Sequence, residues 1–267
     1  MNLETLLSNT VFYRNKYLRL ILLKIYHIII FSPIFWFRKG PKLIINGVPK
    51  SGTHLLTSVL NEIPNIKNTR YGINMWMIDY DNKIHCSFTL WNPSKIKFIK
   101  KLGKLNGNQF LLSHLPYHKK LYEALIQSNV KMININRNRD DILISNFNYI
   151  DNLKRHYAHD ALKSFENKSS KLNALRNGFV TVEGYVVNSH EVVCDAFQPW
   201  ENYNDKNILN INFEELAGSK KGFSDELRKV CIKKILIFLD ISYDDSLVDN
   251  IHKKALKTKS FTLRSFT

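Results

Sequence analysis

Short apolar runs, separated by polar turns and by segments of helical period, recur along most of the chain and predict buried strands. They fall within residues 43–45, 110–115, 130–136 and 207–216. Continuous apolar runs are typical of parallel strands that helices cover on both faces. After the first run, apolar positions recur at helical spacing over residues 55–60. We therefore predict a strand, a tight loop and a helix start over residues 43–60, in an α/β arrangement.

Two helices are predicted in the last third of the chain. One occupies part of residues 175–200 and ends before Pro199, because proline cannot continue a helix. The other begins after Ser224, a favourable N-cap residue. Its apolar residues at helical spacing predict one buried stripe, formed by Leu227, Cys231, Ile235 and Phe238.

Composition restricts the partners. The chain has 267 residues, 44% of them apolar and 23% charged, which is ordinary for a globular domain. The net charge of +16 makes it a basic protein and suggests anionic small substrates, a membrane surface or nucleic acid. No nucleic-acid motif accompanies the scattered lysines, so we expect no nucleic acid among the partners. The three cysteines, Cys86, Cys194 and Cys231, lack metal-ligand spacing and indicate a reducing compartment.

Residues 1–40 form a separate segment. The apolar stretch from Leu18 to Phe37 is interrupted by Arg19 and Lys24, so we expect no transmembrane anchor. No small-residue cleavage site follows it, so we expect no signal peptide either. Residues 1–42 contain seven lysines and arginines but only one acidic residue, a glutamate. A basic amphipathic helix could rest on an anionic membrane through residues 10–40, or fold against the domain itself; both interpretations remain open. The expected location is the cytoplasm, with or without such membrane contact.

The loop from Gly47 to Thr53 has the features of an anion-binding site. Gly47 and Gly52 allow the backbone to curl, so that loop N–H groups and a helix N-terminus point at the same place. Lys50 adds a mobile positive charge. The glycines fit the nucleotide-binding pattern G-x-x-x-x-G-K-[ST], but here the lysine precedes the second glycine and Thr53-His54 is a poor magnesium pair. This favours a phosphorylated donor other than ATP, with no metal.

Residues Val48–Thr53 resemble the 5′-phosphosulfate loop of the sulfotransferases that use 3′-phosphoadenylyl sulfate (PAPS). The family form is P-K-S-G-T-T-W, and His54 and Leu55 replace its last Thr and Trp. The resemblance implies a catalytic domain over residues 41–267. Its implied fold is α/β of the P-loop NTPase-like type, with a central parallel sheet and helices on both faces.

Two more segments resemble the family in the same order. Residues 111–116 are similar to K-T-H-L-P, whose histidine is the general base, and this implies His114, although Leu112 replaces the family lysine. Arg137 and Ser145 keep the eight-residue separation of R-[DN]-P-[RK]-D-x-x-x-S. In the family that arginine and serine hold the donor's 3′-phosphate.

Two weaker matches lie nearer the end of the chain. Phe213 stands where [VI]-x-Y-E-[DE]-L has a tyrosine beside the adenine, and phenylalanine keeps the stacking face. Arg264 falls on the arginine of the closing R-K-G-x-x-G-x-W loop, although its glycines and tryptophan are absent. The resemblance therefore implies donor contacts from both residues.

The resemblance implies a transferase that moves a sulfuryl group from PAPS to an acceptor hydroxyl or amine, on a small molecule, glycan or lipid. Lys50 would stabilise the leaving group and, with Ser51, Gly52, Thr53 and His54, bind the donor. His114, with an ordinary pKa near 6.5, would suit a base at neutral pH. Two alternatives stay open: a P-loop kinase using ATP and Mg²⁺, and a non-catalytic, membrane-peripheral protein that binds anionic ligands.

Overall fold

The computed structural model describes residues 40–75, 107–154 and 156–257, together with Ile21, Ile25, Phe88 and Trp91. The predicted N-terminal segment, residues 1–40, lies outside the described residues except for Ile21, Ile25 and Gly40, and so does Arg264. Within the described ranges, no helix combines the length and apolar character needed to cross a bilayer.

Five parallel strands form the central sheet. They are β1 (Lys42–Asn46), β2 (Lys67–Asn74), β3 (Gln109–His114), β4 (Val130–Asn136) and β7 (Ile208–Asn212), in the spatial order β2-β3-β1-β4-β7. Two short strands, β5 (Phe179–Val180) and β6 (Val186–Val187), form an antiparallel pair.

Nine helices occupy the part of the chain that the structure describes. They are α1 (Thr53–Leu60), α2 (Lys119–Gln127), α3 (Arg139–Asn152), α4 (His159–Lys163), α5 (Lys168–Asn177), α6 (His190–Phe197), α7 (Phe213–Ala217), α8 (Asp225–Phe238) and α9 (Asp245–Lys257). Short 3₁₀ turns at Gln198–Asn202 and Ser219–Lys221 link some of them.

The two faces of the sheet bury separate cores, because neighbouring side chains of a strand point in opposite directions. Ile44 packs with residues of α2 and with Trp200, whereas Leu43 and Ile45 pack with residues of α1, α8 and α9. Helices thus cover both faces of a parallel sheet, which confirms the predicted α/β fold.

The carboxyl ends of the parallel strands meet at one edge of the sheet. β1 ends at Asn46, β3 at His114, β4 at Asn136 and β7 at Asn212. The loop after β1, the histidine that closes β3, the arginine after β4 and the phenylalanine after β7 therefore lie along this edge. Open α/β sheets bind their ligands at this edge.

Two helix predictions were wrong in part. Ser224 caps α8 as predicted, and Cys231 and Ile235 are buried, but Leu227 is 55% exposed. Arg228, 1% exposed, takes the inward position. The helix predicted within residues 175–200 is divided: α5 ends at Asn177, the β5–β6 pair intervenes, and α6 ends at Phe197.

Candidate active site

The loop after β1 is curled as its glycines predicted. Gly52 has φ 112° and Lys50 has φ 76°, both in the left-handed region. A Cβ on Gly47 would lie 2.5 Å from Ser51 Oγ and 2.7 Å from the carbonyl oxygen of Ile135, so no larger residue fits there. Helix α1 begins directly after Gly52. The loop backbone around Gly52 and the first turn of α1 therefore form a concavity of the kind that can hold an anion.

Two buried polar atoms beside this concavity have no hydrogen-bond partner. They are Ser51 Oγ and Arg137 Nε. Buried polar atoms are nearly always hydrogen-bonded in folded proteins, so each such atom calls for an explanation. A hydroxyl that can donate and a guanidinium N–H are both suited to the oxygens of a sulfate or phosphate. The residues present therefore fit an anionic, phosphate-bearing donor such as PAPS.

Lys50 lies against an aromatic ring. Its Nζ is 3.7 Å from the centroid of the Tyr149 ring on α3, a cation–π contact. Burial, and then the nearby Arg137 charge, lower the pKa of Lys50 to about 8. The ammonium is therefore easier to deprotonate than that of an ordinary lysine, and the ring face partly compensates by favouring the charged form.

His114 is fixed by the loop. Its Nδ1 lies 2.8 Å from the carbonyl oxygen of Gly47. A carbonyl can only accept, so Nδ1 carries the proton and Nε2 presents a lone pair. Burial lowers the pKa of His114 to about 4; the bond to Gly47 opposes this shift, and His54 and Lys50 add to it. The imidazole is thus neutral at neutral pH but a weaker base than its ordinary pKa suggested.

Arg137 connects three parts of the site. Its guanidinium carbon lies 4.1 Å from the centroid of the Phe213 ring, and its Nη1 donates to the carbonyl oxygen of Lys50 at 3.3 Å. Asp141, at 3.8 Å, balances its charge. Phe213 also packs against the loop, since a Cβ on Gly52 would fall 2.5 Å from its ring. The structure therefore brings the arginine, the ring and the loop together.

Ser145 lies between two of these contacts on helix α3. Asp141, which contacts Arg137, precedes it by four residues, and Tyr149, which contacts Lys50, follows it by four. Residues four apart share one face of a helix. Ser145 therefore lies on the face of α3 that is turned toward both the loop and the arginine.

The other predicted donor-binding residues lie at the first turn of α1. Thr53 is buried, and His54 is exposed on the same turn. His54 lies near enough to His114 to contribute to the lowering of its pKa. Arg264 lies outside the described residues, and its donor contact stays a prediction.

Sequence reasoning missed Tyr149 and its neighbour His156. The two rings are in edge-to-face contact with centroids 5.6 Å apart. Burial, and then the nearby Lys50 charge, lower the pKa of His156 to about 4. The spacing of Tyr149 from Ser145 was a signal, because it places both residues on one face of a helix.

Arg139, in contrast, turns away from the site. It forms ion pairs with Glu191 at 2.7 Å and Asp195 at 2.8 Å, both on α6. It stands where the resembling motif has proline. Among the described residues, no group of three or more histidines, cysteines or acids could hold a metal ion.

Comparison with known proteins adds independent information. The family model of the sulfotransferase domain matches residues 40–264. Mouse sulfotransferase SULT7A1 complexed with PAP is 25% identical, with a TM-score of 0.52 over 86% of this chain and 67% of that chain. Retinol dehydratase in complex with androsterone and the inactive cofactor PAP is 14% identical, with a TM-score of 0.47 over 83% of this chain and 66% of that chain. No curated protein matches the sequence.

Proposed function

The chain belongs to the sulfotransferase domain family, as the loop after β1 predicted, and from that premise we propose that it transfers a sulfuryl group from PAPS to an acceptor hydroxyl or amine. One observation carries the proposal. His114 Nδ1 donates to the carbonyl oxygen of Gly47 and Arg137 Nη1 donates to the carbonyl oxygen of Lys50, which supports a site in which His114, Lys50 and Arg137 act together around one loop. Family membership favours sulfuryl transfer over the kinase alternative.

The loop would hold the sulfate end of PAPS. Lys50 would supply positive charge. The backbone N–H of Ser51 donates to the carbonyl oxygen of Val48 at 3.0 Å, so Ser51 would contribute its unpartnered Oγ, and Gly52 and Thr53 would contribute their backbone N–H groups at the first turn of α1. His54 would border the same end. Charge-assisted hydrogen bonds of this kind are stronger than those between neutral groups. The loop would therefore both bind the sulfate and stabilise charge that develops on the bridging oxygen.

Arg137 and Ser145 would hold the 3′-phosphate. The planar guanidinium binds phosphate oxygens in pairs, and a hydroxyl on the facing side of α3 can add a third bond. Phe213 would contact the adenine. Because Arg137 occupies one face of that ring, the adenine requires the other face or the edge. Arg264 remains a predicted additional phosphate contact.

Transfer itself would need little from the protein beyond position and charge. His114 Nε2 would take the proton from the acceptor while the acceptor oxygen or nitrogen forms its bond to sulfur. The bond between sulfur and the bridging oxygen breaks, and its electron pair stays on the phosphate, where Lys50 stabilises it. The products are the sulfated acceptor, adenosine 3′,5′-bisphosphate (PAP) and a proton.

The pH dependence of kcat/KM tests these roles. His114 acts only when neutral, hence above its pKa of about 4. Lys50 acts only when charged, hence below its pKa of about 8. We expect kcat/KM, which reports the free enzyme, to rise through pH 4 and to fall through pH 8. In the Lys50→Arg variant the side chain stays charged throughout this pH range, so the alkaline fall in kcat/KM should disappear. If the fall persists, it arises from the titration of another group.

Tyr149 should set the position of that alkaline fall. A cation–π contact favours the ammonium by about 0.5 to 2 kcal/mol. In Tyr149→Leu the fall should therefore move to lower pH by roughly 0.4 to 1.5 units, at 1.36 kcal/mol per pKa unit. Tyr149→Phe keeps the ring face and should retain the original profile. Equal shifts in both variants would attribute the effect to the hydroxyl and contradict the ring contact.

Product formation distinguishes the remaining alternatives. Purified protein supplied with PAPS and a panel of phenols, sterols, amines and sugars should release PAP with at least one acceptor, without added Mg²⁺. Transfer from ATP that depends on Mg²⁺ would support a kinase instead. Tight PAP binding without turnover on any acceptor would support a non-catalytic anion-binding protein. The acceptor class, the cytoplasmic location and membrane contact through residues 10–40 stay predictions.

A further inference from the structure

A row of polar side chains, three of them buried and the fourth half-buried, crosses four adjacent strands beneath the active site. The single hydroxyl proton of Ser113 on β3 is shared between two acceptors on β1, Asn46 Oδ1 at 2.9 Å and the carbonyl oxygen of Ile45 at 2.8 Å. Asn46 Nδ2 donates to Asn134 Oδ1 on β4 at 3.2 Å, and Asn134 Nδ2 donates to Asn210 Oδ1 on β7 at 2.8 Å. Buried parallel strands are normally apolar throughout. This row is thus a departure from the pattern on the same strands that carry the site.

Asn46 lies in the middle of the row and forms hydrogen bonds with the residues on both sides of His114. Its Oδ1 accepts from the backbone N–H of Leu115 at 2.8 Å as well as from the Ser113 hydroxyl. Its Nδ2 donates to the carbonyl oxygen of Leu115 at 3.1 Å as well as to Asn134. The side chain is 0% exposed. All of its hydrogen-bonding capacity is used, and three of the four bonds go to the neighbours of His114.

We propose that Asn46 is a positioning residue for His114, a proposal that rests on the role of His114 as the base. Asn46 holds the backbone around His114, and the next residue, Gly47, holds its ring at 2.8 Å. Both contacts come from the end of β1, where the loop that carries Lys50 begins. The dipeptide Asn46-Gly47 would therefore set the distance between the His114 imidazole and the loop that holds the leaving group.

Packing alone does not explain an asparagine at this position. The residues before it, Ile44 and Ile45, are apolar and fully buried, and an apolar residue could fill the same space. A buried amide gains little net stability from its hydrogen bonds, and it is costly when any of them is lost. The amide instead fixes geometry. Its hydrogen bonds to Ser113 and Leu115 form only when the ends of β1 and β3 are in one relative position.

Histidine NMR tests the proposal without knowledge of the acceptor. In ¹⁵N-labelled protein, long-range ¹H–¹⁵N spectra report the tautomer and the titration of each imidazole, and a His114→Gln variant assigns the signal. We expect wild-type His114 to carry its proton on Nδ1 and to titrate well below 6.5. In Asn46→Ala it should populate both tautomers and titrate closer to 6.5, and turnover should fall roughly tenfold.

Asn207→Ala is the matched control. Asn207, directly before β7, is also a buried asparagine, and its amide donates to the carbonyl oxygen of Val130 at 3.2 Å, at the start of β4. It should lose some stability, by the loss of one buried hydrogen bond, but keep the wild-type tautomer, titration and turnover. Equal changes in the two variants would reduce Asn46 to a structural role.

Ser113→Ala covers the case in which Asn46→Ala fails to fold. It removes one bond to Asn46 and should shift the His114 signal in the same direction by a smaller amount. An unchanged His114 tautomer and titration in a folded Asn46→Ala or Ser113→Ala protein would overturn the proposal. Full turnover of His114→Gln would instead remove the base assignment, while the tautomer still reports whether Asn46 positions the ring.

Discussion

His114→Ala should lower turnover by roughly a hundredfold or more, the usual contribution of a general base. The substitution removes the Nε2 lone pair that we propose accepts the proton of the acceptor. The proposed donor site at Lys50 and Arg137 is left in place. PAP affinity measured by calorimetry should therefore stay near the wild-type value while kcat falls.

His118→Asn is the control for that experiment. His118 lies four residues further along, and its side chain accepts from the backbone N–H of Lys120 as the N-cap of α2. Asparagine is a good cap, so this variant should keep both turnover and stability. Comparable losses in the two variants would mean that the effect comes from the shape of the segment after β3. Full activity in His114→Ala would end its assignment as the base.

Arg137→Ala should weaken PAP binding by roughly ten- to a hundredfold, the range for hydrogen bonds to a charged group. The loss should be confined to ligands that carry a 3′-phosphate. Adenosine 5′-monophosphate, which lacks that group, should bind with nearly unchanged affinity. Calorimetric titration of both nucleotides into wild type and variant measures the difference directly.

Arg176→Ala is the matched control for charge. Arg176 is a surface residue on α5 that pairs with Asp140 at 3.3 Å. Its loss changes the net charge by the same amount and should leave PAP binding intact. A similar weakening in this variant would attribute the effect to the general positive field. Equal weakening of PAP and adenosine 5′-monophosphate in Arg137→Ala would show that the guanidinium acts elsewhere than on the 3′-phosphate.

The loop and the strand ends were predictable because their signals are local. Gly47 and Gly52 indicate a curled backbone, and the apolar run before each site residue indicates a strand that ends there. Parallel strands then bring His114, Arg137 and Phe213 to one edge. Prediction of the fold and the family therefore required only short sequence patterns in the right order.

Features that depend on how elements are oriented were not predictable in this way. Leu227 and Arg228 are adjacent, and only the rotation of α8 decides that the arginine faces inward. The contact between Lys50 and Tyr149 depends on the placement of α3 over the loop. The asparagines at positions 46 and 134 were visible as polar residues in apolar strands, but their register was needed before they formed a row.

The bond between His114 and the Gly47 carbonyl has a consequence for which atom of an acceptor is modified. The imidazole is anchored on one side, so it cannot turn to meet different hydroxyl groups. Under the proposed mechanism, an acceptor with several hydroxyls must bring one of them to the Nε2 lone pair. Regioselectivity would then follow the shape and pose of the acceptor, and a more acidic hydroxyl that cannot reach that nitrogen would remain unmodified.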